Sequence, residues 1–230
     1  MNFGIILASG NGKRMNNHTP KQFLKIHDKP LIYYSIQAFE NTQCIDEIII
    51  VTQKKFFKKI YEIIDEFKFE KVHMLVEGGK TRQESSFNVL GALKGFAVCK
   101  DLVIIHDAAR PLISSSLIEE MIVTSKRHPA ITMVGNVIDT IATNNNHHYG
   151  ALVDRSSLVA IQTPQAFKYG LIFKAHKLAI KNNIHNASDD AQLVTMSGKK
   201  VYLLKNNDLN FKITTPMDLK LLECLLSRGD

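Results

Sequence analysis

The sequence is poor in cysteine, has no tryptophan and contains no long apolar run. Its three cysteines, Cys44, Cys99 and Cys224, are odd in number and far apart, which argues against a disulfide framework and a cysteine-rich metal site. We therefore expect reduced thiols in the core. No apolar stretch reaches the roughly 18 residues of a membrane span, and no leader of the secretory type is visible. We expect a cytoplasmic chain without a membrane segment or a secretion signal.

Size and charge bound the class of protein further. The 230 residues, 45% of them hydrophobic, can bury one substantial core, so we expect a single domain over residues 1–230. The net charge of +7 suits either nucleic acid or a small polyanionic substrate. No basic run is interleaved with aromatic residues, which favours the small substrate over nucleic acid. None of the nine histidines forms a pair at metal-ligand spacing, so we expect them at surface or core positions.

Short apolar runs alternate with amphipathic stretches through the first two thirds of the chain. Apolar strands separated by helices predict an α/β fold with a doubly wound, mostly parallel sheet that is covered on both faces. Ligands of such sheets bind at the carboxyl ends of the strands, so the loops after residues 7, 76 and 106 are the expected site. The predicted strands are 3–7, 47–52, 72–76, 102–106 and 131–137, and the predicted helices lie near 30–40, 55–68, 82–97 and 115–127.

The pattern changes after Val137. Residues 138–162 contain two β-rich pieces around a turn-rich stretch, which predicts a protruding β-hairpin arm. Because an isolated two-stranded ribbon is marginally stable in water, we expect the arm to clasp a second subunit. The later elements are predicted as helices near 168–182 and 189–197, a strand at 200–205 and a last helix from Pro216.

A small-residue loop with fixed cations follows the first strand. Glycines allow positive φ and close backbone approach, so successive N–H groups can turn toward an anion such as a polyphosphate. The segment lacks the Gly-Lys-Ser/Thr of a P-loop, and Met15 stands where a dinucleotide fingerprint has its third glycine. A plain strand-to-helix turn with solvated cations is the alternative. The segment contains Ala8, Ser9, Gly10, Gly12, Arg14 and Lys21.

Two further loops at the carboxyl ends of predicted strands carry charged residues. Residues 78–85 read Gly-Gly-Lys-Thr-Arg-Gln-Glu-Ser, in which Arg82 can fork onto an anionic group and Ser85 can cap a helix or reach a base edge. In the His-Asp-Ala-Ala-Arg-Pro segment at 106–111, Asp107 can hold Mg²⁺ on phosphates or bind a ribose hydroxyl. A salt bridge from Asp107 to Arg110 is the alternative.

Late in the chain, Arg155 lies on the predicted arm and Lys212 lies just before the final helix. Each is also explained as ordinary surface charge. Thr214 or Thr215 before Pro216 is explained by helix capping with proline in the first turn.

Taken together and in this order, the motifs closely resemble the cytidylyltransferase family that makes 4-diphosphocytidyl-2-C-methyl-D-erythritol from CTP and 2-C-methyl-D-erythritol 4-phosphate. The resemblance extends from Ile5 to Leu222. Its motifs are the Ala-Ser-Gly-x-Gly-x-Arg-Met loop, Pro-Lys-Gln-Phe-Leu, Gly-Gly-x-x-Arg-x-x-Ser, His-Asp-Ala-Ala-Arg-Pro, Gln-Thr-Pro-Gln-x-Phe and Lys-Ile-Thr-x-Pro-x-Asp-Leu.

The resemblance implies a nucleotide-diphospho-sugar transferase-like fold and assigns roles to individual residues. It implies Mg²⁺ as cofactor, with Asp107 as its ligand, and a homodimer formed through the arm. The implied catalytic residues are Arg14, Lys21, Arg155 and Lys212. The implied nucleotide-binding residues are Leu7, Ala8, Ser9, Gly10, Gly12, Gly79, Lys80, Arg82, Ser85 and Asp107. The implied polyol-phosphate-binding residues are Thr140, Arg155, Thr163 and Lys212, with Thr140 and Arg155 reaching the partner's site.

The chain also departs from the family's usual pattern. Ser9 stands where a second alanine is usual, and Lys80 stands where an acidic residue is common. Related ribitol 5-phosphate cytidylyltransferases typically have Ser-Val where this chain has Ala108-Ala109. Ala108-Ala109 and Asp189-Asp190 both favour methylerythritol phosphate. A ribitol 5-phosphate or other polyol-phosphate enzyme remains the alternative, ahead of a nucleic-acid-binding module or a dinucleotide oxidoreductase.

Overall fold

A seven-stranded sheet forms the centre of the molecule in the computed structural model, which describes residues 1–10 and 19–227. The order of its strands is β11-β7-β10-β6-β1-β4-β5, and every neighbouring pair is parallel except the two that involve β10. The strands are β1 (Asn2–Leu7), β4 (Glu47–Thr52), β5 (Val72–Glu77), β6 (Leu102–Asp107), β7 (Ala130–Gly135), β10 (Ala160–Lys168) and β11 (Tyr202–Lys205). Two short strands, β2 (Lys25–Ile26) and β3 (Lys29–Pro30), pair with each other outside this sheet.

Helices cover both faces of the sheet and enclose two apolar cores. One core packs side chains of α1 (Leu31–Glu40), α2 (Phe57–Phe67) and α4 (Ser115–Thr124) against the sheet, and the other packs α3 (Arg82–Ala92), α5 (Tyr169–Lys181) and α6 (Asp190–Met196). A last helix, α7 (Pro216–Leu226), joins a smaller cluster around Leu31 and Ile213. The predicted doubly wound α/β fold is confirmed.

The site lies where the strand order reverses. The chain passes from β1 to β4 and β5 on one side and then returns to place β6 on the other side of β1. The carboxyl ends of these parallel strands therefore meet at one edge of the sheet, as the sequence predicts.

The strand β10 was not predicted from the sequence. It runs antiparallel between β6 and β7, with Gln165 opposite both Ile105 and Thr132. Ala160 and Ile161, which the prediction included in the arm, pair with β7 in the central sheet. The hairpin itself consists of β8 (Ile141–Asn145) and β9 (His148–Val153), followed by a 3₁₀ turn at Arg155–Ser157.

The cysteines are not in the core. Cys44, Cys99 and Cys224 are free thiols, as expected, but all three are exposed. They lie in the turn after α1, in the turn before β6 and on the outer side of α7, where packing does not cover them. Across residues 1–10 and 19–227, none of the helices combines the length and apolarity that crossing a bilayer requires.

Candidate active site

A cleft opens at the carboxyl ends of β1, β5 and β6 and brings together most of the predicted nucleotide-binding residues. Gly12 and Arg14 lie outside the described residues. The predicted residues that line the cleft are Leu7, Ala8, Ser9, Gly10, Lys21, Gly79, Lys80, Arg82, Ser85, Asp107 and Lys212. Gln22, Leu31, Thr81, Ala108 and Ala109 complete the described lining.

The start of the first loop is held by hydrogen bonds to neighbouring elements. The Ala8 backbone N–H donates to the carbonyl of Val51 at 2.7 Å, and the Ala8 carbonyl accepts from Gln22 Nε2 at 2.9 Å. The Ser9 carbonyl accepts from Gln53 Nε2 at 2.9 Å. These bonds fix the backbone of Ala8 and Ser9 where the chain leaves β1, so this side of the cleft has a defined position.

Close approach between two loops requires glycine at Gly78. A Cβ added there would collide with the side chain of Ser9, and one added at Gly79 would collide with the side chain of Glu84. At Gly10 an added Cβ would meet no described atom within 4 Å, so among the described glycines of the two loops the close approach occurs at Gly78 and Gly79. Any larger residue at Gly78 would push the loops after β1 and β5 apart.

The second loop leads directly into α3 and so fixes Arg82. Thr81 is the N-cap of this helix, and its Oγ1 accepts from the Glu84 N–H at 3.1 Å. Arg82 is therefore the first helical residue. The exposed Lys80 donates from its backbone N–H to Glu84 Oε2 at 2.6 Å, and the Gly79 N–H donates to Ser85 Oγ at 3.1 Å. The loop is closed by its own side chains.

Asp107, at the tip of β6, is the only carboxylate among the described residues that line the cleft. Its Oδ1 accepts from Arg82 Nε at 3.1 Å and its Oδ2 accepts from Lys212 Nζ at 2.5 Å. Burial by itself would raise the pKa of the Asp107 carboxyl, but the charges of Arg82 and Lys212 outweigh burial and hold the pKa well below its usual range. Asp107 is therefore ionised at neutral pH.

Arg110 does not form the salt bridge that was the alternative explanation of Asp107. Its Nη1 donates to the carbonyl of Asn210 at 2.6 Å. Lys21 also approaches this chain segment, because its Nζ donates to the carbonyl of Ile213 at 3.0 Å. The segment that carries Lys212 is consequently fixed at Asn210 and Ile213, on both sides of the lysine.

A second carboxylate, Asp190, lies behind Arg82. Arg82 Nη1 donates to Asp190 Oδ2 at 2.6 Å, and His176 Nε2 lies 3.0 Å from Asp190 Oδ1. Burial raises the pKa of Asp190, but Arg82 and His176 more than offset it and lower the pKa to about 2. In the sequence, Asp189-Asp190 is a motif that favours methylerythritol phosphate as acceptor, but the sequence does not reveal the pairing of Asp190 with Arg82.

Thr163 and His106 form a chain of hydrogen bonds that holds the backbone N–H of Asp107. The Asp107 N–H donates to Thr163 Oγ1 at 3.1 Å, and Thr163 Oγ1 lies 3.3 Å from His106 Nδ1. His106 Nε2 lies 3.0 Å from the carbonyl of Arg110, which can only accept, so Nε2 carries a proton. Burial lowers the pKa of His106 to about 4, and the neutral ring leaves Nδ1 as an acceptor for the Thr163 hydroxyl.

Of the four predicted polyol-phosphate-binding residues, only Lys212 is among the described residues that line the cleft; Thr163 is buried beside Asp107, and the other two lie on the arm. Thr140 and Arg155 are exposed and are not among its described lining residues. Arg155 Nη1 donates to the carbonyl of Ile138 at 2.9 Å. Within the described chain, then, the arm does not reach the cleft of its own subunit.

No group of three or more His, Cys, Asp or Glu side chains suited to a metal ion occurs within the described ranges. A site with a single carboxylate fits Mg²⁺ better than other common metals, because Mg²⁺ is usually bound through one or two carboxylates together with substrate phosphates. Asp107 is the residue of the cleft that suits this arrangement.

The fold and the cleft define an α/β nucleotidyltransferase: a doubly wound sheet presents cations and one carboxylate around a small-residue loop at its carboxyl edge. The family model for 2-C-methyl-D-erythritol 4-phosphate cytidylyltransferase matches residues 3–228. The chain belongs to this cytidylyltransferase family.

Curated relatives and solved structures agree with this assignment. The chain is 43% identical over 223 residues to the 2-C-methyl-D-erythritol 4-phosphate cytidylyltransferase of Clostridium perfringens, covering 95% of this chain and 96% of the relative. It is 40% identical to that of Clostridium acetobutylicum, covering 100% and 99%. The crystal structure of 4-diphosphocytidyl-2C-methyl-D-erythritol synthase from Anaerococcus prevotii matches with a TM-score of 0.84 at 26% identity, covering 98% and 96%. The Thermus thermophilus enzyme matches with a TM-score of 0.76 at 30% identity, covering 97% and 98%.

Proposed function

We propose that this protein transfers CMP from CTP to 2-C-methyl-D-erythritol 4-phosphate and releases pyrophosphate. A phosphate oxygen of the polyol phosphate attacks the α-phosphorus of CTP, and the bond from that phosphorus to the bridging oxygen of pyrophosphate breaks. The observation that carries the proposal is that Lys21, Arg82, Asp107 and Lys212 line one cleft of a chain that belongs to this family. Because the acceptor attacks CTP directly, no covalent enzyme intermediate is needed. The reaction belongs to the synthesis of isoprenoid precursors.

The nucleophile of this reaction is already an anion, so positioning and charge neutralisation are the work left to the protein. We assign Lys21 and Arg14 to the charge that grows on the α-phosphate and Lys212 to the orientation of the attacking phosphate. Lys21 and Lys212 both line the cleft, which supports this assignment. Arg14 lies outside the described residues, so its role rests on the motif alone. Thr163 remains a predicted substrate contact, and its hydroxyl contacts Asp107 and His106.

Mg²⁺ is the proposed cofactor, with Asp107 as its protein ligand. When bound, it would neutralise charge on the phosphates of CTP. Asp107 fits because its carboxyl is ionised, and its Oδ2 contacts a lysine whose flexible side chain can turn to the acceptor phosphate. Asp107 therefore has two roles, as partner of Lys212 and as partner of the metal.

The arm supports a homodimer in which Thr140 and Arg155 of one subunit serve the site of the other. Ile138, Tyr149 and Leu152 are 82%, 76% and 64% exposed, which is costly for large apolar side chains grouped on one small element. A second subunit would cover them. The cytoplasmic location stays a prediction.

The proposal is tested by measuring pyrophosphate release over a matrix of four nucleoside triphosphates and several polyol phosphates. We expect release with CTP and 2-C-methyl-D-erythritol 4-phosphate. Release with ribitol 5-phosphate alone would replace the acceptor and keep the reaction class. Release with no pair would contradict the proposal.

A further inference from the structure

The buried pair of Asp190 and His176 lies outside the cleft lining but contacts one of its residues. We propose that Asp190 and His176 are positioning residues that fix the guanidinium of Arg82 and, through it, the carboxylate of Asp107. This inference deepens the proposed function and rests on it. It assigns a catalytic consequence to two side chains that need not touch substrate.

Arg82 is held at two points of its planar guanidinium. Nε donates to Asp107 Oδ1 at 3.1 Å and Nη1 donates to Asp190 Oδ2 at 2.6 Å. Nη2 is buried and makes no hydrogen bond within residues 1–10 and 19–227. Because a guanidinium is rigid and planar, two carboxylates at different nitrogens set both its place and its rotation. Asp190 is the described partner that sets the rotation.

Asp190 is itself fixed from two directions. His176 Nε2 faces Asp190 Oδ1, an ionised oxygen that only accepts, so this nitrogen is the donor. The Asp190 backbone N–H donates to Gln165 Oε1 on β10 at 3.1 Å. Both Asp190 and His176 are fully buried. The carboxylate therefore has little freedom to follow Arg82 if the arginine moves.

A gain in folding stability does not explain the buried ion pair of Asp190 and Arg82. Taking a carboxylate and a guanidinium out of water is costly, and apolar residues of similar size often stabilise a core as well or better. The line of contacts instead leads toward the cleft, from His176 through Asp190 and Arg82 to Asp107. With Arg82 on Oδ1, Asp107 presents Oδ2 to Lys212. A rotation of the Arg82 guanidinium would therefore change the orientation of the Asp107 carboxylate.

The test compares Asp190→Asn with Asp101→Asn. Asp101 is also a buried, paired carboxylate, since it accepts from the N-terminal amine at 2.7 Å, but it lies just before β6, at the opposite edge of the sheet. We expect both variants to lose thermal stability. Only Asp190→Asn should lower kcat, by about tenfold to a hundredfold, the range usual for partners that orient a metal or phosphate ligand. KM for the polyol phosphate should change much less.

A double variant and a histidine pair separate positioning from a general structural effect. If Asp190 acts through Arg82, the Arg82→Lys, Asp190→Asn double variant should be no slower than Arg82→Lys alone. His176→Gln keeps a donor near the place of Nε2 and should retain most of kcat, whereas His176→Leu should behave like Asp190→Asn. The histidine variants decide the question if Asp190→Asn does not fold.

Calorimetric titration of CTP with and without Mg²⁺ gives a readout besides turnover. Asp190→Asn should weaken the Mg²⁺-dependent gain in CTP affinity, and Asp101→Asn should not. If the wild type released no pyrophosphate with any pair, the proposed function would fail, and the titration alone would decide the positioning role. Equal kcat and equal CTP binding in Asp190→Asn and Asp101→Asn would overturn it. So would additive losses in the double variant.

Discussion

The cleft and the arm differ in how far their side chains are buried and paired. Asp107 in the cleft and Asp190 behind it are both buried, and each is paired with Arg82 or Lys212 from a distant part of the same chain. On the arm, Tyr149 is largely exposed, and Arg155 donates to the carbonyl of Ile138, only 17 residues away. The charges of the cleft are thus paired within one chain, whereas the arm leaves large apolar side chains uncovered.

The comparison predicts where single substitutions act. A change in the cleft should alter chemistry or global stability, because its charges are buried and coupled. A change on the arm should leave the isolated fold almost intact and should alter a site of the partner subunit. The predictions that follow test this division, from the largest expected effect to the smallest.

Lys21→Ala should lower kcat by about 10²–10³, the usual loss when one group that stabilises transition-state charge is removed. CTP affinity should fall far less, because the charge of Lys21 is needed most where negative charge develops. Steady-state kinetics and CTP titration measure the two quantities. Lys25→Ala, an exposed lysine four residues further along, is the control. Near-normal turnover of Lys21→Ala would remove it from the catalytic residues.

Acid should destabilise the protein through His106. Its pKa is lowered to about 4 in the folded state, from 6.5. Between these values the unfolded chain binds a proton and the folded chain does not, so the free energy of unfolding falls as pH falls. The full difference corresponds to about 3 kcal/mol. Urea unfolding at pH 7 and pH 4.5 measures it.

His106→Gln keeps a donor for the Arg110 carbonyl and should lose most of this pH dependence. His148→Gln, on the exposed arm, is the matched control and should unfold with the pH dependence of the wild type. If His106→Gln and His148→Gln showed the same pH dependence, His106 would not be the group responsible.

The fold and most of the cleft were predictable because their signals are local. Apolar runs mark β1, β4 and β6, and the residues that follow them, such as Asp107, must lie at one edge of a parallel sheet. Gly79 and Lys212 lie in short sequence motifs, which are recognisable without the structure. Where a feature depends on neighbours in sequence, the sequence reveals it.

Features that depend on distant partners were missed. The strand β10 contains Thr163, Pro164 and Gln165, and polar residues with a proline argue against a buried central strand. These polar side chains are buried because they are hydrogen-bonded, as Gln165 is to Thr132 at 2.8 Å. Asp189-Asp190 is visible as a motif, but the pairing of Asp190 with Arg82, 108 residues away, is not. No local pattern contains such a pairing.

Arg155→Ala tests whether the arm serves another subunit. A side chain that carries only exposed charge contributes about 0–1 kcal/mol, so its loss would change little. If Arg155 instead grips the polyol phosphate of the partner's site, we expect a loss of about tenfold to a hundredfold in kcat/KM, typical of a hydrogen bond to a charged group. KM for CTP should hardly change. Arg127→Ala, another exposed arginine, is the control.

A second test mixes two impaired variants and measures whether activity returns. In a heterodimer of Arg155→Ala and Lys21→Ala chains, both lesions fall on one site and the other site is intact. Random assortment of equal amounts should restore activity toward about a quarter of the wild-type value. No recovery, once subunit exchange is confirmed by mass measurement, would show that Arg155 does not serve the partner.

The smallest effect is expected from Thr215→Ala, at the N-cap of α7. Thr215 Oγ1 accepts from the Asp218 N–H at 3.3 Å, and Asp218 Oδ2 accepts from the Thr215 N–H at 2.8 Å, which forms a capping box. Loss of such a cap costs about 1 kcal/mol, measured as a lower urea midpoint at unchanged slope. Thr143→Ala is the comparison on the arm, where Oγ1 accepts from the Ala151 N–H at 2.9 Å and the residue is exposed, as Thr215 is. We expect a loss within about 0.5 kcal/mol there, because Thr143 caps no helix and surface substitutions away from a cap usually change stability by no more than this. If Thr143→Ala cost as much as Thr215→Ala, the arm would be part of the cooperative fold of one subunit, and the contrast between the two regions would fail.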